Sequence, residues 1–92
     1  MIIGMKEKEM ERPLKALANR RRLSIVKFIK NQKEASVGEV SYEIKLSFKS
    51  TSRHLAVLAS ADILEKEQRS LQVFYRLAGN ISEPARRIIL LL

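Results

Sequence analysis

At Ile63 the apolar spacing of this chain changes, and the order of what precedes and follows the switch leaves few folds open. Before it, apolar residues recur at intervals of three and four, which gathers side chains on one face of a helix. After it come Ile63 to Glu67 and Gln72 to Leu77, two short runs rich in β-formers. A polar turn around Arg69 and Ser70 separates them, so they read as a hairpin. One more helical stretch follows.

Met10, Leu14 and Leu17 mark the first helix, which Pro13 should either kink or enter in its first turn. Asn19 suits the cap of a second helix, with Leu23, Ile25, Val26 and Ile29 apolar, ending near Asn31. Asn31 to Ala35 reads as a polar connection. Ser36 with Glu39 three residues on forms a capping box that opens a short third helix, apolar at Val37, Val40 and Ile44. Ser47 caps a fourth helix, with Thr51, Leu55 and Leu58 inward and Lys49, Ser50, Ser52, Arg53 and Ala56 outward or on the flanks. Gly79 and Asn80 then break the chain. Ser82 and Pro84 suit the start of a last helix with Ile81, Ala85, Ile88 and Leu92 on one face.

At 92 residues, 46% hydrophobic and 30% charged, the chain is expected to fold as one domain over residues 1–92 around one modest core. With no cysteine, disulfides, thiolate ligands and cysteine nucleophiles are excluded. The apolar start of MIIGMKEKEM is too short for a signal peptide, and no run reaches the roughly 18 apolar residues of a membrane span. A cytoplasmic protein without a membrane partner is expected. The charge is +8, and all of the excess lies between Arg12 and Leu58, where eleven Lys or Arg face only Glu34, Glu39 and Glu43. A basic segment of this kind attracts polyanions by releasing their counterions, and nucleic acid is the commonest such partner.

Two short helices joined by the tight Lys45 to Ser47 turn, with a small-polar and basic outward face on the second, have the layout of a helix-turn-helix. Short Ser50 and Ser52 let the backbone approach base edges, and Lys49 and Arg53 serve phosphates or guanine. The hairpin that follows, with Lys66 and Arg69 near its tip, can lie along the DNA backbone as a wing. The expected fold is α+β, mainly α: a winged helix-turn-helix of four helices, a β-hairpin wing and a C-terminal helix.

Three stretches carry a resemblance to a known family: LKALANRRRLSIVKFI (Leu14 to Ile29), LSFKSTSRHLAVL (Leu46 to Leu58) and VFYRL (Val73 to Leu77). They resemble the arsenic-repressor-type (ArsR) winged-helix regulators of bacteria and archaea. The resemblance implies that Ser47, Lys49, Ser50, Ser52, Arg53 and His54 face DNA, and that the first and last helices form a dimer interface. It also marks departures. Phe48 stands where the family usually has a polar residue, Ala56 where a basic one is common, Ser70 where the wing turn usually has Gly, and Leu71 near where an Arg is often found. The family's metal sites use Cys pairs before the recognition helix, or Asp and His in the last helix, and neither set occurs here. No metal or cofactor is expected.

His54 is the only histidine, and no acid lies between Phe48 and Leu58 to help it bind a metal. A hydrolase reading would use Ser52, His54 and Asp62, but residues two apart on a helix do not face each other, so the enzyme is discarded. Arg20, Arg21 and Arg22 at a helix start oppose the helix dipole, which suggests a nearby anion, while Arg22 is also a candidate structural partner. The ending RRIILLL is apolar on all sides and needs cover. A second copy is the simplest cover, with Met10, Leu14, Ile81, Ala85, Ile88 and Leu92 at the interface. The reading is a homodimeric repressor that binds double-stranded DNA at a two-fold operator. The alternative is a winged-helix protein-interaction module that has lost base reading, motivated by Phe48 and Ala56.

Overall fold

The computed structural model describes residues 4–92. Its elements are α1 (Glu7–Leu17), α2 (Arg20–Gln32), β1 (Glu34–Ser36), α3 (Val37–Ile44), α4 (Phe48–Ser60), β2 (Leu64–Arg69), β3 (Gln72–Leu77) and α5 (Glu83–Leu90). The strands form one antiparallel sheet in the order β1-β3-β2. This is the mainly helical winged helix-turn-helix that the spacing implies.

Three helices begin where their capping side chains place them. Asn19 Oδ1 accepts the Arg22 N–H at 3.0 Å, and Ser47 Oγ accepts the Ser50 N–H at 3.1 Å. Ser36 Oγ accepts the Glu39 N–H at 3.1 Å, while the Glu39 carboxylate accepts the Ser36 N–H at 2.8 Å. Each bond satisfies an amide that has no partner inside its helix. Between α3 and α4 the chain turns at Lys45, in the left-handed region at φ 55°. The Leu46 N–H returns to the Ser41 carbonyl at 3.2 Å and Ser41 Oγ donates to the Leu46 carbonyl, which fixes how α4 leaves the turn.

The core is one cluster in which Ile25, Val26 and Ile29 of α2 are joined by Val40 of α3, Leu55 and Leu58 of α4, Tyr75 of β3, and Ala85 and Ile89 of α5. Each large side chain buried here contributes roughly 1.5–3 kcal/mol. Two polar ties hold the outer helices: Lys30 Nζ donates to the Ile89 carbonyl at 3.1 Å, and Arg12 pairs with Asp62 at 2.9 Å.

The structure decides where Pro13 sits and corrects one local expectation. Pro13 is buried in the middle of α1 rather than in its first turn, because the helix starts upstream with Glu7 and Glu9 in its first turn, where carboxylates suit the dipole. Burial of the ring offsets the hydrogen bond that proline cannot make. The stretch read as a connection also contains β1, in which Glu34, Ala35 and Ser36 pair with Arg76, Tyr75 and Phe74. Three residues carry no readable alternation, and the partner strand lies far along the chain.

Candidate nucleic-acid interface

Helix α4 turns Thr51, Leu55 and Leu58 into the core. At about 100° per residue, this leaves Lys49 and Arg53 outermost, with Ser50 and His54 on one flank and Phe48 and Ser52 on the other. Lys49, Arg53 and Phe48 are exposed, and Ser50, Ser52 and His54 are half-buried. Ser47 is exposed at the head of the helix, its Oγ engaged as the cap. The outward face is therefore cationic along its centre and small and polar beside it, a surface that can sit close to base edges and phosphates.

On the His54 flank, an open cleft runs between α2, the end of α3 and α4, lined by Arg20, Arg21, Ser24, Lys27, Asn31 and His54 among others. Of the three arginines at the start of α2, Arg22 is turned inward. It donates to the carbonyls of Ala16 and Lys15 and, at 3.3 Å, to Nδ1 of His54. Arg20 and Arg21 remain exposed and face the cleft. Lys27 shares their face, and sequence reasoning overlooked it; the signal was its i+7 spacing from Arg20. Burial, followed by the charges of Arg22 and Arg21, holds His54 below the usual imidazole range. His54 Nδ1 meets Arg22 and Asp62 meets Arg12, so neither is presented to Ser52 as a hydrolase would need.

The wing carries its charges on two separate faces. Lys66 pairs across the sheet with Tyr75, and its neighbours on that face, Leu64 and Ala35, are buried against the body. Lys66 lines a groove between the wing and α4 with Phe48, Ser52 and Leu71. Arg69, expected to act beside Lys66, lies on the opposite face. It pairs with both oxygens of Glu34 at 2.7 and 2.8 Å and with Glu67 at 2.9 Å, and stacks on Phe74 at 4.6 Å. Arg76 extends this network to Glu65 and Glu67. The structure thus removes Arg69 from the groove, because three residues on one sheet face hold its guanidinium. The turn beyond it is closed by Ser70 at φ 57°, with Leu71 almost wholly exposed.

Helices α1 and α5 pack together. Met10 and Leu14 are 40% and 39% exposed, and Leu90 and Leu91 are also open. Ile81, Ile88 and Leu92 are partly buried against their own core. Ala85, expected at the interface, is fully buried within its own chain, so its methyl supports α5 from below and offers no surface to a second copy.

Residues 19–66 match the sequence profile described as "Bacterial regulatory protein, arsR family". The chain is 40% identical over 66 residues to the "Transcriptional activator HlyU" of Vibrio cholerae, a match covering 72% of this chain and 60% of that protein's length. The solved structure of HlyU from Vibrio cholerae superposes with a TM-score of 0.80 at 35% identity, covering 95% of this chain and 94% of the other. A solution structure from Mycobacterium bovis, described as a homodimeric winged helix-turn-helix DNA-binding domain of a possible ArsR-family regulator, gives a TM-score of 0.78 at 27% identity, covering 98% and 85% of the two chains. The transcriptional repressor PagR of Bacillus anthracis gives 0.76 at 25% identity, covering 92% and 94%.

Proposed function

Because this chain belongs to the ArsR family of bacterial regulatory proteins, we propose that it is a homodimeric repressor that binds a two-fold DNA operator and excludes polymerase from a promoter in the cytoplasm. The observation that carries this reading is the outward face of α4, where exposed Lys49 and Arg53 run between Ser50 and Ser52, with Lys66 of the wing across the adjoining groove. In a dimer, two such helices enter successive major grooves while Lys66, Arg20 and Arg21 engage the backbone alongside. Ser47 and His54 flank the same surface. Open apolar surface on α1 and α5, at Met10, Leu14, Leu90 and Leu91, supplies the contact between copies, with Ile81, Ile88 and Leu92 at its margin. The Mycobacterium bovis domain, described as homodimeric, supports that assembly.

Metal does not enter the reading: the chain has no cysteine, and among the described residues no three His, Cys, Asp or Glu side chains gather as ligands. Zinc, cadmium or arsenite in modest excess should leave DNA affinity unchanged. Fluorescence-anisotropy titration of random duplex at two salt concentrations, followed by selection of bound fragments, tests the central reading. Affinity that weakens with salt and a palindromic selected sequence support it. Absence of affinity for any duplex would assign the domain to protein interaction instead. Transcription in vitro from a promoter bearing the selected site should fall as protein is added; a rise would make the chain an activator, as HlyU is described.

A further inference from the structure

The outward surface of α4 is polar or basic at Lys49, Ser50, Ser52 and Arg53, yet the first residue of the helix is Phe48, 62% exposed. Its ring lies on the wing-side flank and lines the groove shared with Ser52, Lys66 and Leu71. Apolar surface of this size is left in water only at a free-energy cost that a binding partner can remove. The first turn of a recognition helix is the part that comes nearest to base edges in the major groove. Those edges present one apolar group, the C5 methyl of thymine, and a phenyl ring has no donor or acceptor with which to read anything else.

We infer that Phe48 packs on a thymine methyl in each half-site, so that an A·T pair is a specificity element of the operator. This rests on the DNA-binding reading above. Lys49 and Arg53, one and five residues further along the helix, supply the charged contacts beside it. Two other exposed apolar side chains near this surface are placed differently. Leu71 is at the wing tip, and Val57 lies two and a half turns down α4, in a groove with Arg12 and Lys15 of α1.

The test uses the full chain and the tightest duplex recovered from a random library. Thymines are replaced one at a time by deoxyuridine, which removes the methyl and keeps every hydrogen-bonding group. Affinity should fall about fourfold at one position in a half-site, and about fifteenfold when both symmetry-related thymines are replaced, the value of one buried methyl each. Phe48→Ala should bind the thymine duplex more weakly by a similar factor and be indifferent to deoxyuridine at that position. Because Phe48 is exposed, the variant should keep the circular dichroism of the unmodified protein. The inference is overturned if the unmodified protein is indifferent to deoxyuridine everywhere, or if Phe48→Ala keeps the same sensitivity. A chain that binds no duplex overturns the DNA-binding reading as well, an outcome distinct from tight binding without methyl sensitivity.

Discussion

Arg22 Nη1 donates to His54 Nδ1 at 3.3 Å, across the contact between α2 and the recognition helix. The same guanidinium donates to the Lys15 and Ala16 carbonyls at the end of α1, so one side chain joins three helices. A guanidinium has only donors, and so His54 Nδ1 carries no proton and the ring hydrogen sits on Nε2. This link runs from a helix with open apolar surface to the helix with the cationic outer face.

The link makes stability depend on pH. His54 is held below the usual imidazole range in the folded chain, so the unfolded chain takes up a proton first. Its contribution is full above about pH 6.5 and is lost as the pH falls through the lowered folded value. Urea midpoints should be flat between about pH 8 and 7 and drop as the pH falls from about 6.5 into the acid range. Arg86 and then Arg87 hold Glu83 at about 2, and Arg69 holds Glu34 and Glu67 below their usual range, so these three carboxylates titrate in more acid solution than the imidazole of the unfolded chain. His54→Asn, which keeps an acceptor in place, should abolish the drop. Equal stability of the unmodified protein at about pH 7 and in the acid range contradicts the assignment.

Arg53 stands at the centre of the exposed face of α4. Arg53→Ala should weaken operator binding by about 1–3 kcal/mol if the guanidinium reads a guanine, with specificity relaxed at one base pair. If it meets only phosphate, binding should fall alike on all sequences and the salt slope should shrink by about one unit. Unchanged affinity on every duplex removes Arg53 from the site.

The two faces of the wing should separate in mutants. Lys66→Ala is expected to reduce DNA affinity and lower the salt slope by about one unit. Arg69→Ala should leave DNA affinity near its original value and instead loosen the pairing of β1 with β3, read as faster amide exchange at Ala35. A larger loss of DNA binding from Arg69→Ala than from Lys66→Ala would reverse the assignment.

The dimer is best tested where apolar surface is open. Met10→Glu with Leu14→Glu places charge at two half-exposed positions of α1 and spares the partly buried Ile88 and Leu92. Burying these carboxylates unpaired should cost at least several kcal/mol counted over both subunits. Sedimentation should then show a folded monomer with operator affinity near the non-specific level. A double variant that remains dimeric places the interface elsewhere.

Ser36 ends β1, caps α3 and is almost wholly buried. Ser36→Ala should lower stability by about 1 kcal/mol, measured by chemical denaturation. No change would mean that the cap bond is replaced at once by another partner.

Much of the site was legible because its determinants are local. The spacing of Thr51, Leu55 and Leu58 gives the inner face of α4 and therefore its outer one, and the Ser47 cap gives its start. The cleft side chain Lys27 follows the same periodicity as Arg20, so it too was within reach of sequence reading. The role of Arg69 was not. Alternation along β2 does place Arg69, three residues on, opposite Lys66, but its partner Glu34 lies on a strand that no local pattern reveals.

The sequence by itself determined where α2, α3 and α4 begin, where the spacing switches to a hairpin, and that Lys49 and Arg53 lie outward. These depend on bonds between residues three or four apart and on helical spacing, which any short stretch of chain carries. Only the tertiary structure decided the rest. Glu34, which joins a strand with no pattern of its own, captures Arg69 from 35 residues away. Arg22 reaches His54 across 32 residues, and Ala85 is buried by the packing of α5 on the core, where Lys30 bonds the carbonyl of Ile89 from 59 residues away. Contacts at such separations form only once the whole chain has closed around α2, so no local pattern encodes which side chains they join.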